Sequence, residues 1–176
     1  MSTTTMQQIP SGTYAVDPVH SSFGFAVKHN GISTFRGVFE QVDAKLEHGV
    51  LVGTARVDSV KTAIPDLKAH LLSPDFFNAD QTPTVEFSSR EIRIAEDGTA
   101  EIEGALTIRG VSKPVTATGT FASGSNIGGS DVVGLDLEAT VDRREYGLNW
   151  QAQLPKGGEV LGWYVTLQIH LELIKE

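Results

Sequence analysis

Three histidines, His20, His29 and His70, are the side chains of this chain best suited to polar chemistry. An imidazole can ligate a metal, hydrogen-bond a polar group or move a proton near neutral pH. No HExxH, GxSxG, phosphate-loop or dinucleotide fingerprint surrounds them. The chain has no cysteine, hence no thiolate ligand or cysteine nucleophile. The expectation is that no residue is catalytic, none holds a metal, and the three histidines serve as structural or ligand-facing hydrogen-bonding groups. The second set is cationic. Asp142-Arg143-Arg144-Glu145 reads as a salt-bridged corner. Arg143, Arg144 and Lys113 would grip a diphosphate only if the fold brought them to one place.

The elements that must position these groups are strands. Every odd residue from Leu161 to Leu173 is apolar, with Gly162, Tyr164, Thr166, Gln168, His170 and Glu172 between them. That period of two predicts one long strand with an oily face. At about 3.3 Å per residue it spans roughly 40 Å, against about 17–20 Å for an ordinary strand. Similar alternation predicts strands over 23–27, 38–46, 51–57, 102–108, 115–121 and 133–141. A further strand runs from Val85 through Ile94, with a bulge where the apolar register changes between Phe87 and Ile92. Asp97-Gly98 predicts a hairpin, and Gly124 to Ser130 a Gly/Ser loop. About eight strands joined by short polar turns predict an all-β, antiparallel barrel or sandwich.

One segment breaks the rhythm. Ile64, Leu67 and Leu71 share a face of a short helix starting near Pro65, followed by Ser73-Pro74-Asp75-Phe76-Phe77. A connection this long with its own helix acts as a lid or as a plug of one barrel end. An eight-stranded barrel is either filled by its side chains or holds one small ligand. Gly53, Ala55, Gly104, Ala117, Gly119 and Ala139 fall in the apolar registers. Small residues there either leave volume open or allow close packing against aromatic neighbours.

A chain of 176 residues is one domain by prior, with residues 1–11 as a flexible N-terminal tail and 12–176 as the folded unit. The net charge of −8 excludes nucleic acid as a partner and disfavours anionic lipid surfaces. No apolar run reaches eighteen residues, so no stable membrane insertion is expected. MSTTTMQQIPSG lacks the basic start and apolar core of a signal peptide, which predicts a cytoplasmic protein.

Four strings, DPVHSSFGFAVKHNGISTFRGVF, HLLSPDFFNADQTPTVEF, LTIRGVSKPVTATGTF and DRREYGLNW, resemble the motif series of the YceI-like (polyisoprenoid-binding) family, in its order and over nearly the whole chain. The resemblance implies an extended lipocalin-like antiparallel barrel of eight strands, with a short helix and a lid or plug segment. It also implies a hydrophobic pore that binds a long isoprenoid, of polyprenyl or quinone type, or a similar amphiphilic lipid. Beyond that lipid no cofactor is expected, and a homodimer is implied. Three positions depart from the family's usual pattern. Leu67 stands where an Arg is common, Arg109 where a His is common, and Trp163-Tyr164 where acidic residues often open the last strand.

Combined with the alternation, the resemblance assigns the lipid-facing wall to Phe25, Leu71, Phe76, Phe77, Phe87, Leu106, Ile108, Phe121, Leu135, Leu137, Trp150, Trp163 and Val165, with Phe76 and Phe77 as a gate. His20, His29, His70, Lys113 and Arg143 are the candidates for the polar head group. Three functions follow. The first is a lipid carrier or store. The second is an enzyme using His20 or His70 as base. The third is a ligand-free barrel serving as a protein-interaction or stress-response module. The expectation is the first, non-catalytic binding, with the third as the alternative.

Overall fold

The computed structural model describes residues 5–176, so the first four residues of the expected tail lie outside it. Met6 bridges Ala95, and the Gln7 amide donates to the Ile94 carbonyl at 2.6 Å. The chain folds into β1 (Thr13–Val16), β2 (Ser22–His29), β3 (Ser33–Phe39), β4 (Val42–Glu47), β5 (Val50–Arg56), β6 (Val60–Lys61), helix α1 (Pro65–Leu72), β7 (Thr84–Ile94), β8 (Thr99–Ile108), β9 (Val111–Ser125), β10 (Asp131–Asp142) and β11 (Leu161–Lys175). No helix among the described residues is long and apolar enough to cross a membrane.

Eight of these strands close into an antiparallel barrel in the order β1-β4-β5-β7-β8-β9-β10-β11, with β11 returning to β1. The extra strands β2, β3 and β6 branch from β11 as a lid-like extension. β11 is the hinge of this arrangement. One edge pairs with β10 from Tyr164 to Ile174. The other edge pairs with β2 through His170 and then with β1 from Leu173 to Lys175. The oily face read from the alternation faces inward, where Leu167, Leu171 and Leu173 are buried.

The expected bulge lies between Ser89 and Glu91, and Gly98, at φ +90°, closes the hairpin between β7 and β8. The expected single strand over 38–46 is two. It breaks at Glu40-Gln41, whose amides donate to the carbonyl and Oγ of Ser59, because β3 pairs with β2 while β4 pairs with β1. β1 is too short at four residues to show alternation, so its place in the ring was not legible.

The small residues divide between the two readings. Gly53, Ala55, Ala117 and Ala139 border open space, whereas Gly104 and Gly119 sit where strands approach closely. A Cβ at Gly119 would collide with the Asp136 carbonyl, and one at Gly104 with the Ser88 carbonyl and the Phe87 ring. Gly119→Ala is expected to destabilise the fold by about 1–3 kcal/mol through forced backbone movement. At Gly134 the nearest atom to an added Cβ is 4.0 Å away, so Gly134→Ala should shift stability by no more than about 0.5 kcal/mol. Urea unfolding of both variants checks the contrast.

Candidate functional site

The barrel interior holds two adjoining apolar spaces. The larger, about 480 Å³, lies at the end where β2, β3 and α1 widen the wall. The smaller, about 80 Å³, lies deeper among β4, β5, β8 and β10. Phe23, Val85 and Leu167 border both and form the waist between them. The larger volume is within the range of about 300–1,000 Å³ of small-molecule sites, and its walls are almost wholly hydrocarbon.

Most of the expected wall residues converge here. Phe25, Leu71, Phe76, Phe77, Ile108, Trp150 and Val165 line the large chamber, and Phe87, Leu106 and Leu137 the small one. Phe121 and Leu135 are buried but border neither, because they pack the barrel beyond the small chamber. Trp163 also leaves the wall. The register against β2 slips between Leu161 and Val165, and the indole instead carries the guanidinium carbons of Arg143 at 4.3 Å and Arg144 at 4.9 Å from its ring centre. Phe23, Val27, Phe35, Phe39, Tyr146 and Leu148 line the large chamber without having been singled out as lining. Phe23 to Val27 already showed the needed alternation. Tyr146 has no periodic signal, since it sits on a 3-10 turn (Arg143–Tyr146) ended by Gly147 at φ +78°.

The segment after α1 covers the large chamber as a lid. Phe77 sets its ring edge-on to Phe39 at 5.6 Å and to Phe25 at 6.3 Å. Phe76 lies 5.5 Å from Trp150, and His70 packs between them at 4.9 and 5.2 Å. His70 Nε2 is 3.1 Å from Asp75 Oδ2. The lid is tethered from the β8–β9 turn by Arg109, whose Nη1 donates to the carbonyls of Phe76, at 2.8 Å, and Pro74. The position where the family's usual histidine is replaced therefore holds the lid down.

The candidate polar residues separate. His29 and His70 line the large chamber, joined by Ser33 and Thr34. Lys113 lies on β9 outside both chambers. Arg143 borders the chamber but is occupied. Its Nε donates to the Gly162 carbonyl at 2.8 Å, its Nη1 to Leu148 and Trp150, and its Nη2 to Leu161. It is 4% exposed, and burial lowers its pKa, with the charges of Asp142 and Glu159 opposing that shift. Arg144 binds Asp142 at 2.7 Å, so the ion pair of the four-residue corner is Asp142–Arg144, with Arg143 turned to backbone carbonyls instead.

His20 sits at the opposite end of β2 from His29, on the surface. Its Nδ1 is 2.7 Å from Asp17 Oδ2, and with Glu172 these make the one group of potential metal ligands among the described residues. The turn bonds from Val19 and His20 to Asp17 account for this geometry without an ion. The hydrogen bond to Asp17 holds the His20 imidazole above its ordinary 6.5, aided by the charges of Asp17 and Glu172, and the same bond to His20 holds Asp17 below 3.8. No catalytic constellation is assembled around any histidine among the described residues.

A family model described as the YceI-like domain matches residues 14–173. A UPF0312 protein of Staphylococcus aureus is 30% identical over 168 residues, covering 90% of this chain and 95% of its own length. One from Staphylococcus epidermidis is 31% identical over 165 residues, covering 89% and 94%. Among solved structures, Burkholderia cenocepacia BcnA shares the fold with a TM-score of 0.71 at 20% identity, over 89% of this chain and 98% of that one. A polyisoprenoid binding domain from Saccharophagus degradans, implicated in plant cell wall breakdown, shares it with a TM-score of 0.66 at 12% identity, over 95% and 100%.

Arg143→Met removes the donors to four carbonyls and is expected to lower stability by about 2–4 kcal/mol in urea unfolding. Arg143→Lys should recover only part of that, since an ammonium lacks the planar fork. At the surface pair the sign is fixed by the two shifts. The imidazolium contribution of His20 is complete below pH 6.5 and fades as pH rises through the raised folded value. That of Asp17 is present above 3.8 and fades as pH falls through its lowered value. In an NMR titration, Asp17→Asn should move the His20 midpoint down towards 6.5.

Proposed function

The chain belongs to the YceI-like domain family, and from that premise we propose that it binds and carries an isoprenoid, or a similar amphiphilic lipid chain, in the barrel. The observation that carries this reading is the pair of apolar chambers meeting at Phe23, Val85 and Leu167 beneath an aromatic lid. A flexible hydrocarbon fits such a space because it needs no polar partners along its length. Each buried CH₂ contributes about 0.8 kcal/mol, so ten carbons give about 8 kcal/mol before ordering and association costs.

The function is binding rather than catalysis. The Saccharophagus degradans domain, described as binding polyisoprenoids, has the same fold and supports the isoprenoid choice. A side-chain-filled barrel serving as an interaction module is disfavoured by the 480 Å³ of open apolar volume. The lipid enters between the lid and the β2–β3 turn, where His29, Ser33, Thr34 and His70 supply the polar groups of the large chamber's rim.

Native mass spectrometry of the purified protein should show a discrete added mass that solvent extraction recovers as a polyprenyl compound. Val165→Phe, placed on the wall of the large chamber, should keep the fold but take up less added farnesol, a three-unit isoprenoid. Bare protein that takes up no farnesol would refute the carrier reading.

A further inference from the structure

The net charge of −8 is unevenly spread. Between Asp17 and Glu40 the chain carries no acidic residue, and that stretch holds β2, β3 and the turn joining them. Ala26 pairs with Arg36 and Val38 with Lys61, and directly paired residues of antiparallel strands share a face. Lys28 lies two residues beyond Ala26 along β2. Lys28, Arg36 and Lys61 therefore share the outer face of the extension, opposite the Phe23, Phe25 and Phe35 rings that line the chamber. All three cations are exposed. Among the described residues no ion pair engages Lys28 or Arg36, and Lys61 reaches only Glu40, at 3.6 Å across two largely exposed side chains.

Apolar side chains stand out at one end of the same face. Asn30 and Gly31, at φ +56° and +72°, turn the chain into β3 and leave Ile32 at the tip, 83% exposed. β6 runs antiparallel to β3, so the chain leaves it heading for that tip, and Ile64 is exposed there as well. Tyr164, near the start of β11 beside the end of β2, is 65% exposed. Protection of a sheet edge accounts for charge on β3 and β6, but either sign would serve, and β2 is not an edge. It accounts neither for the lack of acids nor for the bare isoleucine tip. A bilayer with anionic head groups answers both, since it attracts Lys and Arg and receives apolar and aromatic side chains at its interface. At physiological salt a charge is felt over about 8 Å. A surface meeting this face therefore responds to its cations before the glutamates of β7 and β8 across the ring. Nearer by, Asp136 and Asp142 on β10 are paired with His170 and Arg144, and Glu138 stands two strands from β2.

We propose that the outer face of the extension docks on an anionic lipid bilayer, with Ile32 entering the head-group layer, and so sets the wide end of the barrel against the membrane. Docking at this face is independent of what the chamber carries.

Flotation of the purified chain with vesicles tests this, using phosphatidylcholine alone and phosphatidylcholine mixed with phosphatidylglycerol. Wild type should float with the mixed vesicles at low salt, stay behind with the neutral ones, and detach as salt rises. Lys28→Glu/Arg36→Glu should cut partitioning about tenfold or more. Neither side chain borders a chamber, so that variant should keep wild-type farnesol uptake from solution and the wild-type urea midpoint. Ile32→Ser should weaken partitioning about twofold. Lys45→Glu/Lys175→Glu makes the same charge change at the narrow β1 end and should float like wild type. Flotation with neither vesicle, or equally with both, would overturn the docking and leave the cationic face to an acidic protein. Equal loss in both double variants would show that net charge alone is read, and would overturn the assignment to this face. A chain that floats with the mixed vesicles yet takes up no farnesol would keep its docking face while failing as a carrier.

Discussion

Everything inside this barrel depends on β11 having hydrogen-bond partners along both edges. One edge is taken by β10 throughout, but the other is shared, by β2 along most of its length and by β1 at its C-terminal end. At the β1 end the ring closes directly and is narrow. At the β2 end the perimeter gains β2 and β3, and the lumen widens with it. The 480 Å³ chamber and the 80 Å³ chamber are the volumetric result of that single change of partner. The register slip between Leu161 and Val165 belongs to the same transition, and it turns Trp163 out of the wall to seat two guanidinium groups.

The mouth of the large chamber shows how a charge is kept in oily surroundings without becoming a binding group. Arg143 ties the turn it opens to the loop at Leu148 and Trp150 and to the start of β11 through backbone carbonyls alone. Leu161 and Gly162 lie beyond the pairing of β11 with β10, and Leu148 and Trp150 lie outside any strand, so a buried side-chain donor stands in for the missing ladder. Tyr146, three residues on, is held by the same turn. The charge is therefore committed to the protein, and the wall it borders stays apolar.

The strands and their inward faces were legible because alternation with a period of two is a direct imprint of a half-buried sheet. The long run from Leu161 and the bulge near Ser89 both followed from it, and the turn at Gly98 from the Asp97-Gly98 pair. What escaped had no period to show. β1 has four residues, the break at Glu40-Gln41 is caused by partners distant in sequence, and Tyr146 lies on a single tight turn. Trp163 was misplaced because its parity is right while its local register is not. His20 and His29 occupy the two ends of one region yet face different surroundings, a separation that depends on strand direction and not on residue type. Arg109 was visible as a departure from the family pattern, but its grip on the Phe76 carbonyl needed the tertiary contact between two loops.

Branching a sheet off a closed ring leaves one unclosed border, and here it is the outer edge of β3 from Ser33 to Gly37, continued over Val38 and Phe39 by β6. That strand contributes two residues, Val60 and Lys61, of which Lys61 is exposed, and Pro65 opens the helix that follows almost at once. The border is short on both strands and carries exposed Arg36 and Lys61, which disfavours pairing with a strand from another molecule. The fold thus widens one end of its barrel while keeping its free flank a poor seed for polymerisation.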